Sequence, residues 1–231
     1  MLEESARIAR GDVKDMADLR AENYDALLVP GGFGAAKNLC SFGFDGADMS
    51  VHEDFENVLR DFRSQEKVIG LTCIAPVIAA KVFGSDGIKL TLGGRGENFP
   101  YAGSIDAAAS FGADMVEMNV NEVCTDWNSS IVTSPAYMQG DASPHAVFDG
   151  IQNFLQKVNS LVRQNLAMQA KNKEKVSEGS LQETITSEDD LMLRLVNQSV
   201  NRIWEDYDTS KDGYLTLDES REFIRDSFGN T

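Results

Sequence analysis

Twelve residues near the end of the chain have the oxygen-rich spacing of a calcium-binding loop. The segment DTSKDGYLTLDE, residues 208–219, matches the EF-hand loop at each diagnostic position. Gly213 at position six allows the sharp turn, and apolar residues at helical spacing stand on both sides of the loop. The predicted Ca²⁺ ligands are Asp208, Ser210, Asp212, Tyr214 through its backbone carbonyl, Thr216 directly or through water, and Glu219 through both carboxylate oxygens.

This loop is the only EF-hand loop in the sequence, and a single hand leaves apolar surface to be covered. Leu215 at position eight and the apolar faces of the flanking helices usually pack against a second hand. We therefore expect another protein, a second copy or the rest of the chain to cover them. The alternative interpretations of the loop are an acidic surface turn and a hand that no longer binds metal.

A cysteine stands between a strand-like and a helix-like segment in IGLTCIAPVIAAKVFG, residues 69–84. Cys73 follows an apolar run and precedes Pro76 and an alanine-rich helical pattern. This position is typical of a nucleophile at a strand-to-helix turn, where the helix N-terminus stabilises a thiolate. The alternative is simple packing, because free cysteine is among the most buried residue types.

A glycine-rich loop, VPGGFGAAKN at residues 29–38, follows the preceding apolar run. Gly31 and Gly32 in such a loop can bring backbone N–H groups close to a bound anion or a developing oxyanion. A plain turn is the alternative. Lys37 in the same loop could meet an anion, although a solvated side chain is the simpler interpretation.

The segments that would position these residues alternate between strand and helix patterns. Apolar residues at helical spacing predict a helix over 51–62, and Ser143-Pro144 predicts the start of another. The predicted strands are 24–30, 67–73, 87–93 and 114–120, followed by a hairpin over 122–134 around Asn128-Ser129. This alternation predicts an α/β layered fold with a parallel sheet.

Composition divides the chain into three parts. Residues 1–165 carry the α/β pattern, and residues 188–231 form the small all-α EF-hand segment. Between them, residues 166–187 are polar and charged and lack apolar periodicity, which predicts a mobile linker.

The charge of the chain excludes some partners. Its 231 residues include 21 basic and 37 acidic side chains, for a net charge of −16. A surface this acidic should repel nucleic acid and anionic membranes, and no apolar run is long enough to cross a bilayer. Three widely spaced cysteines argue against a disulfide framework and for a reducing compartment. The N-terminus shows no targeting segment.

Five segments, in order along the chain, resemble the ThiJ/PfpI branch of the class I glutamine amidotransferase-like superfamily. They are ESARIARGDV, DALLVPGGFGAAKNL, IGLTCIAPVIAAKV, FPYAGS and IVTSPAYM. The resemblance points in particular to the ElbB-like proteins linked with isoprenoid synthesis and glyoxalase activity. It implies a flavodoxin-like sandwich in which Cys73 is the nucleophile, Gly31 and Gly32 face the pocket, and Ile74 supplies a backbone amide. It also implies a mitochondrial location, with a cytoplasmic or cytoskeletal one as the alternative.

The sequence departs from this family pattern in two respects. The family's first strand and helix, with an acidic residue that hydrogen-bonds the cysteine, have no counterpart here, because Met1 stands just before ESARIARG. We expect either a truncated start, a separate chain that supplies the missing strand and helix, or a domain that serves as a docking scaffold. Isoleucine, not histidine, follows Cys73, and neither His52 nor His145 is expected to pair with it.

Three functions remain open from the sequence. The favoured one is a calcium-binding, non-catalytic structural or regulatory subunit of a larger assembly, whose partners are other protein subunits. The second is a calcium-regulated, cysteine-dependent glyoxalase or deglycase that attacks small reactive carbonyls through Cys73. The third is a redox-sensing cysteine, which requires an exposed and reactive thiol.

Overall fold

The computed structural model describes residues 2–11 and 13–179 of the chain. Its contacts divide the chain into one compact unit, Met1–Lys171, and a second unit, Asn172–Thr231. All of the side-chain contacts described below belong to the first unit. The predicted EF-hand segment, residues 188–231, lies outside the described residues.

The described residues form an α/β arrangement, as the sequence predicts. The helices are α1 Leu2–Ala9, α2 Phe42–Asp45, α3 Glu53–Ser64, α4 Pro76–Phe83, α5 Gly103–Ser110 and α6 Pro144–Gly179. The strands are β1 Ala26–Val29, β2 Val68–Thr72, β3 Lys89–Leu90, β4 Asp114–Met115, β5 Cys124–Asp126 and β6 Ile131–Ser134. None of the helices in the described part of the chain has the length and apolarity to cross a membrane.

The central sheet is mixed. Its order is β1-β2-β6-β5, in which β1, β2 and β6 are parallel and β5 runs antiparallel to β6. The predicted parallel sheet is therefore confirmed for three strands, and the predicted hairpin is the β5–β6 pair. Strands β3 and β4 form a separate parallel pair. Within the described residues, β1 pairs on one side only.

Strand β2 lies in the middle of the core, between two layers of helices. All five of its residues are buried, as expected for a strand covered on both faces. Ile69 and Leu71 pack into the cluster that contains the apolar residues of α3, α4 and α5. Val68 packs on the opposite face against α6. Since the two faces alternate along the strand, helices cover the sheet from both sides.

A glycine sets how closely α6 can approach the sheet. A Cβ atom at Gly70 would lie 2.7 Å from the Phe154 ring and 2.8 Å from the Leu28 side chain. Any larger residue at position 70 would therefore push α6 away from β2. Phe154, Val158 and Leu161 of α6 are buried in this contact.

Strands β3 and β4 are shorter than the sequence predicts over 87–93 and 114–120. The N–H of Thr91 donates to the hydroxyl of Thr133 at 2.9 Å instead of continuing a strand ladder. Gly93 then adopts a φ of +90°, which ends the extended conformation. The apolar pattern of the sequence predicts neither this hydrogen bond nor this backbone conformation, so it overestimates the strand length.

Helix α6 is longer than predicted and corrects the expected linker. Residues 166–179, which composition assigns to the linker, continue the helix to Gly179. This stretch contains several Ala, Lys and Glu residues, and these residue types favour helix even without an apolar face. Polar composition alone therefore does not distinguish a linker from a solvated helix. Residues 180–187 of the predicted linker lie outside the described residues.

We expect Phe154→Ala to lower the free energy of unfolding by about 3–5 kcal/mol, because its ring fills the contact between α6 and β2. Phe154 is 3% exposed, whereas Phe148 on the same helix is 66% exposed. The matched substitution Phe148→Ala should change stability by no more than about 0.5 kcal/mol. Urea denaturation of both variants measures the difference, and equal losses would contradict the packing described here.

Candidate functional site

Cys73 occupies a strained turn directly after β2. Its φ is +58°, a left-handed conformation that costs a residue with a side chain on the order of 1–3 kcal/mol. Its N–H donates to the carbonyl of Ser134, the last residue of β6, at 2.9 Å. Helix α4 begins at Pro76, whose ring favours the first helical turn. The predicted joint between strand and helix is therefore a tight, hydrogen-bonded elbow.

The glycine loop after β1 lies against this elbow. A Cβ atom at Gly31 would stand 2.6 Å from the Thr72 carbonyl oxygen and 2.8 Å from both Cys73 Cβ and the Ile74 nitrogen. No side chain fits in that space, so the close approach requires glycine. Gly32 follows with a φ of +86°. The structure thus brings together the four residues predicted to form the site, and their chemical roles stay predictions.

These four residues line a cavity of about 700 Å³. Its walls come from loops at the carboxyl ends of β1, β2 and β6, from the start of α5, and from α6. Ligands of open α/β sheets commonly bind at this edge. The remaining lining residues are Phe33, Ala36, Phe42, Gly43, Thr72, Pro100, Tyr101, Gly103, Ser104, Ala136, Tyr137, Met138, Val147 and Ile151.

A second strained residue lies in the same cavity wall. Ala136, which follows β6 after Pro135, has a φ of +47° and is buried. Strained residues persist where the surrounding structure holds them, and they concentrate at binding and active sites. Two such residues, Cys73 and Ala136, in one wall support the assignment of this cavity as the functional site.

The floor of the cavity offers a thiol and a free amide. Cys73 is half-buried, and the N–H of Ile74 donates to no acceptor among the residues that the structure describes. A thiolate could attack a carbonyl here while the Ile74 amide stabilises the oxyanion that forms.

The cavity lining is short of the groups that most often act as general acids or bases. None of the lining residues, all of which belong to the described part of the chain, carries a carboxylate, an imidazole or an amine. His52 and His145 are both exposed and lie near Asp54 and Asp149 respectively. Neither histidine is among the residues that line the cavity.

Cys40 and Cys124 are core thiols, as the sequence suggests. Both are buried, and burial raises the pKa of each. The pKa of Cys124 rises to about 12, so this thiol stays protonated at any physiological pH. Cys73 is the one cysteine of the three whose side chain borders the cavity.

The predicted calcium ligands cannot be placed in this unit, because residues 208–219 lie outside the described residues. In the part of the chain that the structure describes, no group of three or more His, Cys, Asp or Glu side chains could hold a metal ion. Calcium binding therefore remains a prediction from the spacing of the loop.

The aromatic residues at the cavity mouth were not predicted as site residues. Phe33, Tyr101 and Tyr137 are 67%, 49% and 52% exposed, although all three are large and largely apolar. A signal was present in the sequence, because the glycine loop, FPYAGS and IVTSPAYM each contribute one of them. Only the fold shows that these distant segments meet.

The fold and the site define a class: an α/β protein with a thiol at a strand-to-helix elbow beside a glycine loop.

No family model matches the chain. Curated proteins do match it, among them the following three. The chain is 44% identical to "ES1 protein homolog, mitochondrial" of Rattus norvegicus and 45% identical to "Glutamine amidotransferase-like class 1 domain-containing protein 3, mitochondrial" of Homo sapiens. Each alignment covers 164 residues, 70% of this chain and 60% of the relative.

"ES1 protein, mitochondrial" of Danio rerio is 33% identical over 68% of this chain and 62% of the relative. Among solved structures, the chain is similar to an isoprenoid biosynthesis protein with an amidotransferase-like domain from Ehrlichia chaffeensis. The identity is 31% and the TM-score 0.59, over 69% of this chain and 70% of that one. The alignments thus span about three fifths of the curated relatives' length.

The chain belongs to the class 1 glutamine amidotransferase-like family, the family of these relatives. The superfamily resemblance drawn from the sequence motifs is confirmed. All three curated relatives are named mitochondrial proteins, which supports the mitochondrial location implied by the resemblance.

We expect iodoacetamide near pH 8 to label one thiol in the folded protein, and that thiol to be Cys73. Cys40 and Cys124 are buried and have raised pKa values, so neither forms thiolate readily. Intact-mass spectrometry should show a single adduct that disappears in Cys73→Ala. The unfolded protein should take up three. Labelling of Cys124 as fast as Cys73 in the folded protein would contradict this arrangement.

Proposed function

We propose that this chain is a calcium-binding, non-catalytic structural or regulatory subunit of a larger assembly, built on the amidotransferase-like unit. The observation that carries the proposal is the composition of the cavity around Cys73. Its lining contains a thiol and two tyrosines but no carboxylate, imidazole or amine, the groups that most often exchange protons near neutral pH. Turnover of a carbonyl through a thiol requires such a group.

The sheet edge supports an assembly. Strand β1 pairs on one side only within the described residues, and Leu28 on this strand is half-exposed. An open, apolar strand edge is a template for pairing with another chain. We propose that a partner subunit covers this edge or the apolar faces of the predicted EF-hand.

The EF-hand loop gives the subunit its proposed regulation. Asp208, Asp212 and Glu219 provide three carboxylates in the spacing that binds Ca²⁺. Ca²⁺ binding to a sensor hand exposes apolar surface, which would link calcium to partner binding.

The second candidate is a calcium-regulated, cysteine-dependent glyoxalase or deglycase of the ElbB-like kind. It is favoured by the elbow itself: the φ of Cys73 is +58°, and the Ile74 amide lies beside Gly31 at the cavity floor. The thiol would add to a small reactive carbonyl to give a hemithioacetal. A carboxylate from outside the cavity lining would then have to move the proton.

We expect the full-length protein to bind one Ca²⁺, and Glu219→Gln to weaken binding by roughly tenfold or more. Glu219 closes the predicted coordination shell with both carboxylate oxygens, and a glutamine amide cannot replace them. Isothermal titration calorimetry of the metal-free protein with CaCl₂ measures the affinity.

The matched control for calcium is Asp218→Asn. Asp218 stands at position eleven of the loop, which provides no ligand, and the substitution removes the same charge. This variant should keep an affinity close to that of the unmodified protein. Equal losses in the two variants would show general attraction of Ca²⁺ to an acidic segment instead of an EF-hand site.

The choice between the two functions is tested with methylglyoxal. We expect the purified protein, with and without Ca²⁺, to form lactate no faster than its Cys73→Ala variant, because the cavity lining has no carboxylate, imidazole or amine to act as a general base. The rate of lactate formation is measured by chiral chromatography of samples taken over time. Turnover that the Cys73→Ala substitution abolishes would replace the subunit with the glyoxalase as the better description.

A further inference from the structure

We propose that the cavity beside Cys73 binds an uncharged molecule that is mostly an apolar chain and carries a carbonyl or hydroxyl oxygen at its end. This inference goes beyond the proposed function, since it assigns a ligand class to a cavity that the subunit would otherwise leave empty.

The size of the cavity is the first argument. Its volume of about 700 Å³ falls in the range of about 300–1,000 Å³ that holds drug-sized ligands. A two- or three-carbon dicarbonyl would fill a small part of it, because one water occupies about 30 Å³ in the liquid. A small polar substrate would therefore remain largely in contact with water inside the cavity.

The chemistry of the walls is the second argument. Ala36, Met138 and Val147 are buried apolar residues of the lining. The hydroxyl of Ser104, also in the lining, already donates to the Tyr101 carbonyl at 2.7 Å. An ionised ligand would lose its hydration here without a charged partner, at a cost of several kcal/mol. The walls therefore favour an uncharged, apolar chain.

The mouth of the cavity supports the same class of ligand. The rings of Phe33, Tyr101 and Tyr137 expose apolar area around it. A chain that extends from the cavity would cover these rings, while the two tyrosine hydroxyls stay in water. The amine of Lys37 lies 5.4 Å from the rings of Phe33 and Phe44 and is not part of the lining.

Backbone amides beside Cys73 define where the polar end of the ligand would lie. The N–H groups of Gly31, Gly32 and Ile74 all line the cavity and donate to no acceptor within the described residues. A ligand oxygen beside Cys73 would accept a hydrogen bond from one of these amides. The cavity thus combines a small group of backbone donors with apolar walls and an aromatic mouth.

The test is displacement of a fluorescent probe from the full-length protein. The protein is first saturated with N-phenyl-1-naphthylamine, an uncharged probe. The loss of its fluorescence is then followed as 1-octanol, octanal, octanoate or methylglyoxal is added. We expect 1-octanol and octanal to displace it at least tenfold better than octanoate or methylglyoxal. In parallel, 1-octanol should slow the alkylation of Cys73 by iodoacetamide, which places the ligand in this cavity.

A matched pair of substitutions locates the binding surface. Phe33 and Phe148 are 67% and 66% exposed, but only Phe33 lines the cavity. Phe33→Ala combined with Tyr137→Ala should weaken 1-octanol binding by roughly tenfold, the equivalent of about 1.4 kcal/mol. Phe148→Ala should leave it unchanged.

Each outcome decides between the proposals. No displacement by 1-octanol, equal displacement by octanoate, unprotected Cys73, or equal effects of the Phe33/Tyr137 and Phe148 variants would overturn the ligand class and leave the proposed subunit untouched. Octanal that binds and is also converted to product would keep the ligand class but replace the non-catalytic subunit with an enzyme.

Discussion

The close approach of Gly31 to the Cys73 elbow is the contact on which the site depends. The backbone after β1 lies against the turn after β2 at a distance that excludes any Cβ atom. The elbow is held from the other side by the hydrogen bond from Cys73 N–H to the Ser134 carbonyl. Because three parallel strands meet at this point, the direction of the thiol is set by the sheet and not by a loop alone.

The same sheet determines the shape of the cavity through α6. Gly70 allows this helix to pack close to β2, and Phe154 fills the contact. One and two turns earlier, Ile151 and Val147 of the same helix form part of the cavity wall. Core packing and the binding site are therefore coupled, because a helix displaced from β2 would also move the wall that faces Cys73.

Local patterns in the sequence predict much of this arrangement. The buried run of β2, the helical spacing of α3, the β5–β6 hairpin and the elbow at Cys73 each depend on residues close together in the chain. The short β3 was not predictable in this way, since it depends on a hydrogen bond between Thr91 and Thr133. The aromatic mouth escaped prediction for the same reason, because Phe33, Tyr101 and Tyr137 meet only through the tertiary fold.

Family membership and chemical activity are separate questions for this chain. The fold and the elbow place a thiol where a nucleophile would act, and relatives with the same unit carry amidotransferase-like names. Catalysis, however, requires a proton to move in step with attack, and the described cavity walls offer two tyrosines for this but no carboxylate, imidazole or amine. Binding needs only shape, apolar area and one hydrogen bond. The difference between the two proposed functions is therefore a single group, a carboxylate brought to Cys73 from beyond its present lining.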